Sequence, residues 1–371
     1  LHIFVIGALS ESIVNFRGEL IKSMISEGHK VTALAGKADP AIIEKILKLG
    51  ANFIEIPISR TSLNPFVDIK TFFAVIQATR RCRPDIILAY TIKPVVWGGI
   101  AARLLGVRFY AIITGLGYAF NGIGFKRKLV RGVASFLYSI ALKSSEIVFF
   151  QNIDNRDVFL SKKIILIHQS EIIDGSGVDS NFFQYSELPK TNFTFLCVCR
   201  LLKEKGLREY AEAAKTVMKS KKDVVFLLVG PVDNSPDSIS SDEVFNWVNS
   251  GYLQYKGEVS DVREYIRQSH VFVLPSYHEG IPRSILEAMA MGRPILTTNA
   301  VGCKETVLDE INGFKVPIKS ADALAEKMIW FIENKNRLSE MGKKSRELIE
   351  KKFEVKIINQ KLMRSMQLIG I

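Results

Sequence analysis

The chain has 371 residues, 47% of them hydrophobic and 24% charged, with a formal net charge of +12. That length suits two domains of about 150–200 residues each, and the apolar content excludes a disordered chain. No apolar run reaches the roughly 18–20 residues of a membrane span. The charge is uneven: residues 1–171 hold 22 Lys and Arg against 12 Asp and Glu, a balance of +10, and residues 172–371 hold 28 against 26, a balance of +2. The excess on the first half favours an anionic partner there, either a membrane surface or a diphosphate. No nucleic-acid module accompanies it, so nucleic acid is not expected. The four cysteines, Cys82, Cys197, Cys199 and Cys303, show no zinc spacing. They read as reduced, cytoplasmic thiols, with Cys197 and Cys199 both in the core.

In chain order, the opening LHIFVIGAL reads as a first core strand and not as a signal peptide. Leu1 in place of a starting Met points to an alternative start codon or a trimmed chain. Residues 3–6 form the strand, Gly7 to Ser10 turns out of it, and a helix is expected over about 15–27. This βα turn lacks G-x-G-x-x-G, so a NAD fingerprint is not supported. Further strands are expected at 31–35, 53–58, 84–89, 109–114 and 147–151, with helices at 40–49, 67–80 and from 97 onward. The alternation is that of an α/β, doubly wound sheet. The strand at 84–89 delivers Tyr90, Thr91, Ile92 and Lys93 to its end.

Residues 120–142 carry the membrane signal. Phe120, Phe125, Lys126, Arg127, Lys128 and Arg131 interleave apolar and basic side chains, whose stems can lie along lipid while their charges meet headgroups. The apolar run 133–142 that follows is expected in the core. The polar, small-residue stretch Asp174 to Asp179 then joins the two domains and permits a hinge.

A strand at 193–198 opens the second domain and runs straight into Cys199, Arg200, Lys205 and Gly206. Another strand at 224–229 ends in the Gly230-Pro231 turn, and helices are expected at 321–333, 337–349 and about 355–368. Between them lies the most informative stretch, which reads VFVLPSYHEGIPRSILEAMAMGRPILTT from Val271. Its first four residues are a buried parallel strand. Pro282 suits the first position of a helix, and Gly292 with Pro294 ends it. In open α/β sheets, ligands bind at such carboxyl ends of strands. Glu287 stands among Ile285, Leu286, Ala288, Met289, Ala290 and Met291, where an unpaired carboxylate is costly. It is kept there for a ligand or an internal pair, or to cap the N–H groups of a neighbouring loop.

Glu279-Gly280-Ile281-Pro282-Arg283 through Glu287 resembles the E-x7-E signature, with its E-G-x-P core, of the retaining glycosyltransferases of family 4. The resemblance implies a GT-B fold, with two Rossmann-like, doubly wound domains facing across a cleft. Here they would span 1–174 and 175–354, with helix 355–371 packing back on the first. It implies that Glu279 lies against the donor sugar, that Glu287 bonds the nucleotide ribose, and that Gly280, Ile281 and Pro282 line the donor in a loop whose amides meet the sugar and diphosphate. Arg200 and Lys205 resemble the family's G-R-x-x-x-x-K-G element, with Cys199 where Gly is frequent. They would neutralise the departing diphosphate. Val259 would lie against the nucleobase, and the Gly7 loop would approach donor phosphate or acceptor. Many relatives carry His where this chain has Ile92, so a histidine base is excluded there.

Three basic residues of the first domain are phosphate or acceptor candidates. Arg17 is equally consistent with a surface salt bridge, Lys93 with a plain surface lysine, and Arg60 sits in a polar loop, Ser59 to Phe66. That loop and the Gly115-Leu116-Gly117 turn resemble bacterial transferases that extend undecaprenyl-diphosphate-linked amino sugars, N-acetylgalactosamine transferases of surface-glycan assembly among them. The implied partners are a nucleoside-diphosphate sugar donor, a lipid-diphosphate-linked sugar acceptor and the anionic cytoplasmic face of the inner membrane. No D-x-D occurs, so a metal cofactor is not expected. The rivals are a nucleotide-sugar 2-epimerase, a glycogen-type synthase, or a binding module without catalysis. An epimerase would not need the basic first half, and Arg200, Lys205, Glu279 and Glu287 together argue against a module without catalysis.

Overall fold

The computed structural model describes residues 1–59, 65–116, 125–233, 235 and 237–370, with the side chains of 125–127 outside the description. It divides into two compact units, Leu1–Ser176 with Ile357–Ile371, and Gly177–Lys356. The first is built on a seven-stranded sheet of β1 (His2–Ile6), β2 (Lys30–Ala35), β3 (Asn52–Glu55), β4 (Ile86–Tyr90), β5 (Arg108–Ile113), β6 (Ser145–Phe150) and β7 (Ser170–Ile172). Its order is β3-β2-β1-β4-β5-β6-β7, and every pairing is parallel. Parallel strands need helical crossovers, which cover both faces, so the central strands are apolar throughout. Phe4, Ile6, Ile87 and Ala89 enter one core, and Ile3, Val5, Ile86 and Leu88 the other.

The second unit repeats the plan. Strands β8 (Phe193–Val198), β9 (Val224–Val229), β10 (Gln254–Tyr255), β11 (Val271–Leu274), β12 (Ile295–Thr298) and β13 (Gly313–Val316) form a parallel sheet in the order β10-β9-β8-β11-β12-β13. In both sheets the chain first winds outward one way, then returns and winds the other way. The reversal falls between β1 and β4 in the first sheet and between β8 and β11 in the second. Loops leaving the carboxyl ends of those strands diverge, and the crevice between them is where such sheets take ligands.

Several elements differ from the sequence expectation. The helix expected from 97 starts at Ile92, directly after β4, because Pro94 is tolerated in a first turn whose N–H groups have no helical partner. Residues 15–17, expected to open a regular helix, lie instead in one turn of π-helix, Ile13–Arg17, ahead of the helix Gly18–Ser26. The short strand β7 and the helices Ile153–Ser161 and Ser241–Asn249 are additional. The 133–142 run, expected in the core, is amphipathic: Ala134, Tyr138, Ala141 and Leu142 are buried, but Val133 and Phe136 are exposed. Cys197 is buried, but Cys199 is only half-buried.

The last helix, Val355–Ser365, has most of its length in the first unit, where Ile358, Leu362 and Met363 enter the core of β1. Lys361 donates to the Ile172 carbonyl at 2.7 Å, and the His29 ring meets the Leu368 carbonyl at 2.9 Å.

Candidate functional site

In the second unit Arg200, Lys205 and Glu279 stand on the loops that leave the carboxyl ends of β8 and β11. Immediately after β8 come Cys199 and Arg200, then a 3-10 turn, Lys203–Lys205. Gly206 closes it at φ +69°, and a Cβ there would meet the Pro275 carbonyl oxygen at 2.1 Å. Only glycine allows this approach, which lays Lys205 against the loop leaving β11. Its ammonium lies 2.5 Å from Glu279 Oε1, and both side chains are largely buried. Burial by itself lowers the Lys205 pKa, but the charge and hydrogen bond of Glu279 outweigh it, so the lysine stays above its ordinary value. Ser276 Oγ donates to the same Glu279 oxygen at 2.8 Å.

Glu287 lies one turn after Arg283 in the helix Arg283–Ala290, and Arg283 Nε donates to it at 2.9 Å. Thus the buried carboxylate is partnered along its own helix. Burial still pushes its pKa up, against the pull of Arg283. Pro282 is the residue before the helix and not its first position. Ile281 and Pro282 are buried, and the Glu279 N–H is taken by the Val301 carbonyl at 2.8 Å, so this amide is already bonded. Val259, just past β10, is half-buried against the core.

Three supporting residues escaped the sequence reading. Asp233, in the loop after β9, accepts from Arg200 Nη1 at 2.6 Å. Burial works to raise the Asp233 pKa, but hydrogen bonds from Ser235 and Arg200 bring it below the ordinary carboxylate range. Ser276 holds Glu279 as described. Gly302, at φ +86°, lies beneath the Glu279 loop: a Cβ there would meet the Gly280 carbonyl oxygen at 2.1 Å and that of Glu279 at 2.5 Å. Asp233 follows a strand end next to β8, and that position was the available signal. Gly302 carried no signal in the sequence.

The first unit has its own cluster at the ends of β1 and β4. Gly7 packs under Tyr90, whose hydroxyl would lie 2.3 Å from a Cβ at that position. The buried Tyr90 hydroxyl pairs with Ser12 Oγ at 2.7 Å, and burial pushes its pKa up to about 12. Arg17 is not a surface salt bridge: it is 2% exposed, with its guanidinium 5.0 Å from the Tyr90 ring centre. Nor is Lys93 a plain surface lysine, since its half-buried ammonium lies 2.7 Å from Asp68. Between them Thr91 is held at φ +66°, in the left-handed region that a β-branched residue rarely enters. Arg60 and Phe120 lie outside the described residues, as do the side chains of Phe125, Lys126 and Arg127. Lys128 is exposed and Arg131 half-buried. Among the described residues no group of three or more His, Cys, Asp or Glu is placed to hold a metal.

A family model described as glycosyl transferases group 1 matches residues 178–348, and one described as glycosyl transferase 4-like matches residues 6–152. Over 346 residues the chain is 32% identical to the N,N'-diacetylbacillosaminyl-diphospho-undecaprenol alpha-1,3-N-acetylgalactosaminyltransferase of Campylobacter jejuni, covering 89% of each chain. The chain is a GT-B glycosyltransferase.

It is also 27% identical to the UDP-Gal:alpha-D-GlcNAc-diphosphoundecaprenol alpha-1,3-galactosyltransferase of Escherichia coli, covering 78% of this chain and 76% of the relative. In fold, this glycosyltransferase is similar to Anabaena HepE, solved in complex with UDP-glucose, with a TM-score of 0.81 at 18% identity over 99% and 100% of the two chains. A Rickettsia africae glycosyltransferase gives 0.78 at 20% identity, over 99% and 98%.

Proposed function

We propose that this glycosyltransferase moves N-acetylgalactosamine from its uridine-diphosphate donor onto an undecaprenyl-diphosphate-linked amino sugar. The step belongs to the assembly of O-antigen, capsule or a related surface glycan, on the cytoplasmic face of the inner membrane. Two things support it together: the cluster of Arg200, Lys205, Glu279 and Glu287 at one switch point, and likeness to a Campylobacter enzyme of that printed activity over most of the chain.

In this mechanism the bond from the sugar's anomeric carbon to the β-phosphate oxygen breaks while the bond to the acceptor hydroxyl oxygen forms. The leaving group gains negative charge. Lys205, held in place by Glu279, meets that charge, and Arg200 turns from Asp233 to do the same. Glu279 lies against the sugar, Glu287 accepts from the ribose, and Val259 packs on the base. The acceptor's proton passes to the departing phosphate oxygen on the same face, so configuration is retained. No step needs a metal. Arg17 and Lys93, with the Gly7 loop, are the first unit's groups for acceptor or phosphate.

The test is calorimetric titration of UDP, GDP and a panel of UDP- and GDP-sugars in EDTA. Binding of UDP and UDP-N-acetylgalactosamine with EDTA present is expected. Preference for UDP-galactose would move the donor to that named for the E. coli relative. Binding of GDP alone, or binding restored only by a divalent cation, would overturn the proposal.

A further inference from the structure

The helices Pro65–Cys82, Ile92–Leu105 and Phe125–Leu142 form one layer against the core of Phe4 and Ile6, with Ile92–Leu105 in the middle. Their inward faces are spent on that core: Val75 and Ala78 from the first, Val95 and Ala102 from the second, Tyr138 and Leu142 from the third. Outward, the two flanking helices each carry an apolar stripe. Phe66, Ile69 and Phe73 follow a three-and-four spacing on one, and Leu129, Val133 and Phe136 do so on the other. All six are between 49 and 73% exposed. An aqueous surface does not select an apolar stripe on each of the two flanking helices of one layer.

Charge narrows the occupant. The three helices hold nine lysines and arginines and a single acid, Asp68, which is already paired with Lys93. By contrast Gly18–Ser26, Pro40–Lys48 and Ile153–Ser161 of the same unit hold four acids and four bases. The basic excess of the unit is therefore concentrated in the layer that also exposes its apolar side chains. Lys70, Arg80 and Arg81 are exposed along the first stripe, and Lys128 beside the second. Apolar side chains that enter an acyl boundary, flanked by cations at headgroup level, suit an anionic bilayer surface. The apolar core of a protein interface is depleted of Lys, whereas here cations of one sign flank the apolar stripes. Among the described residues no helix is long and apolar enough to cross a membrane, so the contact is with its surface.

We propose that the outer face of this three-helix layer is a docking surface for an anionic phospholipid bilayer, built on Phe66, Ile69, Phe73, Leu129, Val133 and Phe136. It rests on the lipid-linked acceptor of the proposed function for its purpose, since docking brings the enzyme to the plane in which such an acceptor lies.

The experiment is sedimentation of the full chain with vesicles of phosphatidylcholine alone, or of phosphatidylcholine mixed equally with phosphatidylglycerol. Binding to the anionic vesicles, weakening as salt rises, is expected. Phe73→Ser with Phe136→Ser should cut that binding at least about tenfold. Lys70→Glu with Lys128→Glu should remove the salt-dependent part. UDP affinity should not change in either pair, which reports that both fold. Equal binding to neutral and anionic vesicles, no binding, or binding untouched by the substitutions would overturn the proposal. So would self-association that the same substitutions abolish with no vesicle binding. Transfer to a short, water-soluble prenyl-diphosphate acceptor, measured alongside, separates the two ideas. Its absence in the unsubstituted enzyme counts against the proposed reaction, and its survival in Phe73→Ser with Phe136→Ser is expected of a docking surface.

Discussion

Glu287 is tolerated inside an apolar helix because Arg283, one turn earlier, shares its charge, and burial nevertheless keeps its pKa raised. A ribose hydroxyl that donates to it would relieve a strained position, so Glu287→Ala should weaken UDP binding about tenfold or more. Titration of UDP checks this, and wild-type affinity would sink the assignment. Lys205 is different, since its partner Glu279 already satisfies it in the absence of donor. In the proposed reaction its gain comes when the diphosphate leaves, so Lys205→Ala should lower turnover by about a hundredfold while changing UDP affinity far less. His270 makes a prediction about stability. Its ring stacks on Phe193, accepts from the Thr194 N–H at 3.1 Å, and has its pKa pushed down to about 4, chiefly by burial. The depressed value means the unfolded chain takes up a proton that the native ring refuses. Its contribution is therefore complete above 6.5 and is lost as pH falls toward 4. Urea midpoints at pH 7 and pH 5 should differ less in His270→Asn than in the unsubstituted chain.

At the scale of elements, the parallel strands were legible because each is a short apolar run bounded by glycine, proline or a polar turn. The β11 loop and its helix were legible for the same reason. The start of Ile92–Leu105 was not: Pro94 and the following glycines look like a loop, and only the packing of Gly98 and Gly99 against β4, β5 and the end of Phe125–Leu142 shows why the helix begins so early. Thr91, immediately before that start, stands at φ +66°. Strain of about 1–3 kcal/mol is usual at such a residue, against about 0.5–1 kcal/mol for glycine's added freedom when unfolded. Thr91→Gly should therefore raise the melting temperature, while a drop would show that the hydroxyl matters more than the backbone. Gly302 reads as an ordinary turn residue in sequence, yet it is the floor of the Glu279 loop. Gly302→Ala should destabilise by more than about 1 kcal/mol and reduce transfer with it, which thermal unfolding and a rate measurement together will show.

On the scale of the whole molecule, two sheets of the same winding order each carry candidate site residues on the loops at one reversal point, and the order could not be read from strand positions alone. Strand pairing depends on long-range packing, whereas periodicity is local. The sequence-level charge asymmetry was visible from composition, but its concentration on one helical layer required knowing which faces the sheet consumes. The 133–142 run illustrates this: it is apolar enough to look like core, but a single layer of helices buries only one side of it. On the proposed function, the chain takes a nucleotide-linked sugar in Gly177–Lys356 and offers its first unit to a lipid-linked acceptor.

The measurement that bears most directly on this is transfer itself: the purified full chain, UDP-N-acetylgalactosamine, and an undecaprenyl-diphosphate-linked N-acetylated amino sugar, with UDP release and the mass of the lipid product followed together. One UDP released for each acceptor extended by one N-acetylhexosamine, with the α-configuration of the donor kept in the product, is the predicted result. UDP release without acceptor extension, or a product of inverted configuration, would contradict the account.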